Sequence, residues 1–167
     1  MLKGISLAYC LVYQQSVVLL SVIAHLGVAV KMDRVERSHI EVSCAIIEAD
    51  GLVLVAQRSV SMSMPLKWEF PGGKIHAGES PRECLRRELM EELSIAVEVL
   101  SPLPPASHDY PGFSITLFPF ICKVVSGDML VHEHSAIRWV LPEDLKSVDL
   151  AEADIPVVSN YLSTLGR

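Results

Sequence analysis

Glu88, Glu91 and Glu92 lie within one short run, Glu88-Leu89-Met90-Glu91-Glu92. In a helix, positions i, i+3 and i+4 are neighbours with Cβ atoms roughly 5–6 Å apart, so Glu88 faces both other carboxylates. At an effective dielectric of about 20, two such charges near 6 Å repel by on the order of 3 kcal/mol. No cation is interleaved between Glu88 and Glu92. The patch therefore invites a hard cation: oxygen ligands suit Mg²⁺ or Mn²⁺, and Mg²⁺ uses one or two carboxylates together with substrate phosphates and water. Taken alone, the same run also reads as a solvated acidic helix face.

The elements that must position these groups are legible on both sides. Ser80, Pro81 and Glu83 spell a capping box with proline at the first helical position, which predicts where the helix begins and fixes the register of the glutamates. Leu85, Leu89 and Leu93 repeat at spacing four and predict an apolar stripe beside the acidic face. Upstream, Pro71, Gly72 and Gly73 predict a loop whose backbone approaches a ligand closely, with Gly78 as a second flexible point.

Residues Gly73 to Ile95 resemble the Nudix box, G-x5-E-x7-R-E-U-x-E-E-x-G-U with U a bulky aliphatic residue. Gly73, Glu79, Arg87, Glu88, Leu89, Glu91, Glu92 and Ile95 fall in register. Ser94 stands where the motif has its final glycine. If that position is left-handed, the serine costs about 1–2 kcal/mol, but it removes no ligand or base. The resemblance implies an α/β Nudix fold, a mixed sheet sandwiched between helices. It also implies hydrolysis of a nucleoside diphosphate linked to another group, with Mg²⁺ or Mn²⁺ as cofactor. By the same resemblance Glu88, Glu91 and Glu92 bind metal, the Gly73 carbonyl is a further ligand, Glu88 is a candidate base, and Arg87 orients the carboxylates.

Outside the box, Leu54-Val55-Ala56-Gln57-Arg58, Trp68 to Lys74, His132-Glu133-His134 and Ala153-Asp154-Ile155-Pro156 resemble the MutT-like branch, which cleaves nucleoside triphosphates to monophosphate and pyrophosphate. This branch clears oxidised nucleotides such as 8-oxo-dGTP from the pool that feeds DNA synthesis, or acts on CTP. The likeness runs over residues 39 to 165 and implies that Arg58 and Phe70 lie near the nucleobase while Asp154 reads its edge. Some relatives carry asparagine at the position of Asp154. An ionised carboxylate only accepts hydrogen bonds whereas an amide also donates, so base preference is expected to differ. Glu133 matches a family glutamate that binds metal or activates water. Trp68 reads as core more readily than as a base stack, and His108-Asp109-Tyr110, before a long strand, reads equally as a substrate contact or as a polar loop.

Composition sets outer bounds. The 167 residues are half hydrophobic and carry a formal charge of −6. That length builds one core, and the charge argues against a broad nucleic-acid footprint, while a small anionic substrate stays open because a metal reverses the local charge; that it is a nucleotide is what the resemblance implies. Cys10, Cys44, Cys84 and Cys122 are scattered without C-x-x-C spacing, which predicts reduced thiols. Between Lys3 and Lys31 there is no charged residue. Residues 1–32 therefore read as an apolar extension: upstream sequence before a start at Met32, a membrane anchor, or a packed helix. As an anchor, Lys31, Arg34 and Arg37 against Lys3 favour a cytoplasmic catalytic part. The Nudix part is expected over 38–167. Strands are predicted over 39–48, 52–57, 68–70, 96–100, 114–125 and 136–140, joined by an Asp50-Gly51 hairpin turn and ending in a helix over 155–165. A hydrolase for another nucleotide derivative and a non-catalytic nucleotide-binding module are the competing functions. The retained glutamates argue against the latter.

Overall fold

Strand β1 (Ser38–Ala49) organises the chain, and its alternation explains the layers. The structure, a computed structural model, describes residues 37–166; the readings placed on residues 1–32 lie outside them. Cys44, Ala45, Ile46 and Ile47 are all buried, so both faces of β1 are covered. Successive strand residues point to opposite faces. Ala45 and Ile47 accordingly join one apolar cluster, and Cys44 and Ile46 join the other.

Each cluster is closed by a helix. Helix α1 (Pro81–Leu93) inserts Leu85, Leu89 and Leu93 into the first cluster, all with no exposed surface. Helix α2 (Ile155–Thr164) gives Val157, Val158, Tyr161 and Leu162 to the second. The mixed sheet is thus sandwiched between helices, as the resemblance implies.

The hairpin turn forms with Asp50 and Gly51 both at positive φ, 52° and 78°, the twist that suits a two-residue β-hairpin. It joins β1 to β2 (Leu52–Gln57). Strand β2 also pairs antiparallel with β3 (Trp68–Glu69) and β8 (Ala136–Val140). On its other edge β1 runs parallel to β7 (Phe113–Ser126), from Ser38 opposite Phe113 to Ile47 opposite Cys122. Strand β5 (Ala96–Pro102) pairs antiparallel with β7.

Two strands fall where loops are predicted. Gly72-Gly73-Lys74 form β4, which pairs antiparallel with β1. Glycine is required there by contact: a Cβ on Gly72, whose φ is 149°, would lie 2.1 Å from the Ser43 carbonyl oxygen. Ala106–Tyr110 form β6 against β7 across a turn at Pro111-Gly112. Pro104 and Pro105 mask it in the sequence, yet they end just before its first residue. The Pro142 segment is a 3-10 helix, Pro142–Ser147, and a second one, Glu152–Asp154, leads into α2. Among the described residues no helix is long and apolar enough to cross a membrane.

Leu89→Ala is expected to lower the unfolding free energy by about 2–5 kcal/mol. Met90→Ala, at a position 49% exposed, should change it by no more than about 0.5 kcal/mol. Urea denaturation of the two variants separates buried stripe from solvent face.

Candidate active site

The start of α1 is fixed as its sequence predicts. Ser80 Oγ accepts from the Glu83 N–H, and the Glu83 carboxylate accepts from the Ser80 N–H at 2.8 Å. With the register set, Glu88 is brought against β4, and a Cβ on Gly73 would lie 2.2–2.5 Å from the Glu88 carboxyl atoms. One turn on, Glu92 accepts from the Gly72 N–H at 3.2 Å. The glycine strand therefore lies under two of the three carboxylates, while Glu91 is exposed.

A cation does serve this cluster, from Arg87 just outside the run Glu88 to Glu92. Its guanidinium donates to both Glu79 oxygens (2.7 and 3.2 Å), to Glu88 Oε1 (2.8 Å), to Glu91 Oε2 (3.2 Å) and to the Lys74 carbonyl (3.2 Å). The bidentate geometry is the one guanidinium and carboxylate favour. It holds Glu79 down at about 2, chiefly through that hydrogen bond. The Cys84 thiol, pushed up to about 12 by burial, donates to the Gly73 and Lys74 carbonyls at 3.4 and 3.3 Å.

Glu92 receives no such partner. Burial pushes its pKa up to about 8; His134 offsets part of this, and Glu69, Glu88 and Glu133 add to it. A buried carboxylate crowded by other carboxylates fits a hard divalent cation. Among the described residues no group of three or more His, Cys, Asp or Glu side chains is arranged to hold a metal ion.

Beside the glycine strand opens a cleft of about 260 Å³, whose lining includes Phe70, Gly72, Gly73 and Glu92 together with Tyr110, Phe113 and Asp154. Phe70 and Asp154 meet directly, the Phe70 N–H donating to Asp154 Oδ1 at 3.1 Å. Burial pushes the Asp154 carboxyl up to about 8 despite that hydrogen bond. Burial thus favours the protonated form, which can donate as well as accept, over the ionised carboxylate. Arg58 lines the same cleft, but its guanidinium is committed to Glu69 and to the backbone and hydroxyl of Ser63. Trp68 packs on the core with the Arg138 guanidinium 4.5 Å above its ring.

Tyr110 and Glu69 line the cleft as well; the sequence reading gives Glu69 no role of its own and leaves His108-Asp109-Tyr110 open between a substrate contact and a polar loop. Tyr110 stacks on Phe113 with ring centroids 5.0 Å apart, and its hydroxyl accepts from the Ala153 N–H beside Asp154. Glu133 is exposed on the loop before β8, near enough to Glu92 to add to its charge crowding.

The NUDIX domain profile matches residues 37–161. This chain belongs to the NUDIX family. It is 39% identical over 124 residues to the CTP pyrophosphohydrolase of Escherichia coli (strain K12), covering 74% of this chain and 92% of that protein. A putative 8-oxo-dGTP diphosphatase 2 of Mycobacterium tuberculosis (strain ATCC 25618 / H37Rv) is 35% identical over 114 residues, 68% of this chain and 81% of its own. The solution structure of the E. coli ORF135 protein superposes with a TM-score of 0.68 at 38% identity, over 77% of this chain and 91% of that one. NUDIX hydrolases need a divalent metal, which agrees with the carboxylates crowded around Glu92.

The Asp154 shift links to stability. Unfolded, the carboxyl ionises near pH 4; folded, it holds its proton to about 8. Its contribution is therefore full below about pH 4 and is lost as pH rises through 8, each pH unit in between costing about 1.4 kcal/mol per retained proton. In chelator, the wild-type melting temperature should fall between pH 5.5 and 8.5. Asp154→Asn should remove about half of that slope, Glu92 supplying a like share; an unchanged slope would place the Asp154 pKa near its ordinary value.

Proposed function

We propose that this chain hydrolyses nucleoside triphosphates, oxidised or otherwise modified ones among them, to the monophosphate and pyrophosphate. The observation that carries the reading is one juxtaposition. The Glu88 and Glu92 carboxylates meet the Gly72-Gly73 backbone, and Gly72, Gly73 and Glu92 line the same cleft as Phe70, Tyr110, Phe113 and Asp154. In this reading the phosphates lie toward the glutamates and the base toward the aromatic rings. Relatives named for CTP and 8-oxo-dGTP support the same substrate class. Clearing modified nucleotides from the cytoplasmic pool is the role that goes with it.

In this reading Glu88, Glu91, Glu92, Glu133 and the Gly73 carbonyl would hold Mg²⁺, with Mn²⁺ as a substitute. The ion, when bound, neutralises charge on the phosphate oxygens. Arg87 holds Glu79, Glu88 and Glu91 in fixed directions, which spares their reorganisation during reaction. Glu88 accepts the proton of the attacking water at a carboxylate oxygen. Phe70 and Tyr110 give the base an apolar seat, and Asp154, in the protonated form that burial favours, offers its edge both a donor and an acceptor. Arg58 braces the wall through Glu69 and Ser63.

Incubation of CTP, 8-oxo-dGTP and the unmodified dNTPs with enzyme and Mg²⁺ should yield monophosphate and pyrophosphate. Release of orthophosphate, or turnover confined to nucleotide sugars, would contradict the reading. Glu88→Gln should lower kcat by about 10²–10⁴-fold. Affinity for the preferred base should weaken as pH rises through about 8, where Asp154 loses its proton. Asp154→Asn should flatten that limb in a pH profile of kcat/KM.

A further inference from the structure

Ser94 departs from the family motif, and the structure gives the departure a use. The residue caps α1 in the left-handed conformation, φ 55° and ψ 33°, where glycine carries no steric cost. Its hydroxyl shares a hydrogen bond of 2.7 Å with His132 Nε2. The same turn is reached by two further backbone bonds from the loop before β8: the Leu130 N–H donates to the Leu93 carbonyl, and the His132 N–H to the Glu92 carbonyl, both at 3.0 Å. Gly127 allows this approach, since a Cβ there would lie 2.3 Å from the Ser94 carbonyl oxygen.

On the other side of Glu133, His134 is buried with its side chain 1% exposed, and its Nε2 hydrogen-bonds Glu69 Oε1 at 2.9 Å. The next residue donates from its N–H to the Gln57 carbonyl at 2.8 Å. Glu133 itself is exposed and has no hydrogen-bond or ion-pair partner among the described residues. Its backbone position is therefore held by its two neighbours: one histidine fastened to the carboxyl end of α1, the other to Glu69 of β3.

We propose that Ser94 and His132 form a latch that positions Glu133 over the site, so that the serine in place of the motif glycine is a positioning residue of this chain. The proposal rests on the reading of Glu133 as a metal-site carboxylate. The hydroxyl supplies what glycine cannot, a side-chain tether holding the Glu133 loop to the carboxyl end of α1. An outer tether of this kind typically affects activity by 10- to 100-fold, and this one, being exposed, belongs at the lower end.

Ser94→Gly tests it with folding not at issue, because glycine suits the left-handed cap. Hydrogen exchange of the metal-free protein should quicken at the Leu130 and His132 amides and stay unchanged across Ala136–Val140. With CTP and Mg²⁺, kcat should fall about ten-fold with little change in KM. His132→Ala should match it, the double variant should be no worse than either single one, and His132→Gln, whose amide reaches the same hydroxyl, should recover most of the rate. Glu133→Gln separates the two layers. If it slows turnover while Ser94→Gly keeps wild-type exchange and kcat, or if the Ser94 and His132 losses add, the latch is overturned alone. If Glu133→Gln turns over like wild type, the reading of Glu133 falls and the latch falls with it.

Discussion

The approach of the Glu88 carboxylate to the Gly73 backbone is the constraint on which the site depends. Strand β4 and helix α1 come so close that a single Cβ at Gly73 would meet the carboxyl group at 2.2–2.5 Å. Many other features keep that distance. Gly72 lets β4 press on β1, the capping box sets the helical register, and three fully buried leucines fix the helix to the sheet. A shift of one residue in register would turn Glu88 from the strand and send a leucine toward solvent. Packing and chemistry are thus set by the same thirteen-residue helix.

The electrostatics divide along that helix. Arg87 satisfies the carboxylates on its own side, pairing with Glu79, Glu88 and Glu91. Glu92, buried, accepts from the Gly72 N–H, and its crowding by Glu69, Glu88 and Glu133 is offset only in part by His134. Ionising a buried carboxylate is costly, so the empty protein favours its protonated form. In the proposed metal site a divalent ion would offset that cost. Asp154, lining the same cleft, follows a related logic: burial favours the protonated carboxyl, which can donate.

Local chemistry explains what was legible in the sequence. The capping box, the leucine stripe and the Asp50-Gly51 turn are short-range patterns, and each appears as predicted. Strands β4 and β6 were not legible because their residues, Gly72-Gly73-Lys74 and the stretch after Pro104-Pro105, lack strand character and are held by β1 and β7. The side-chain commitments were hidden for the same reason. Arg58 looked free to meet a base, but Glu69 and Ser63 take up its donors. Arg87 lay one residue outside the acidic run, so its part in relieving the repulsion between Glu88 and Glu91 needed three-dimensional placement. The ionisation of Asp154 depends on burial, which no local pattern states.

Metal binding to the nucleotide-free protein tests the central claim most directly. Mn²⁺ titrated at pH 7 and followed by electron paramagnetic resonance should show saturable binding, with protons released as Glu92 ionises. Glu92→Gln should lose most of that affinity and the proton release with it. Binding that is absent, or that is equally strong in Glu92→Gln, would contradict the account.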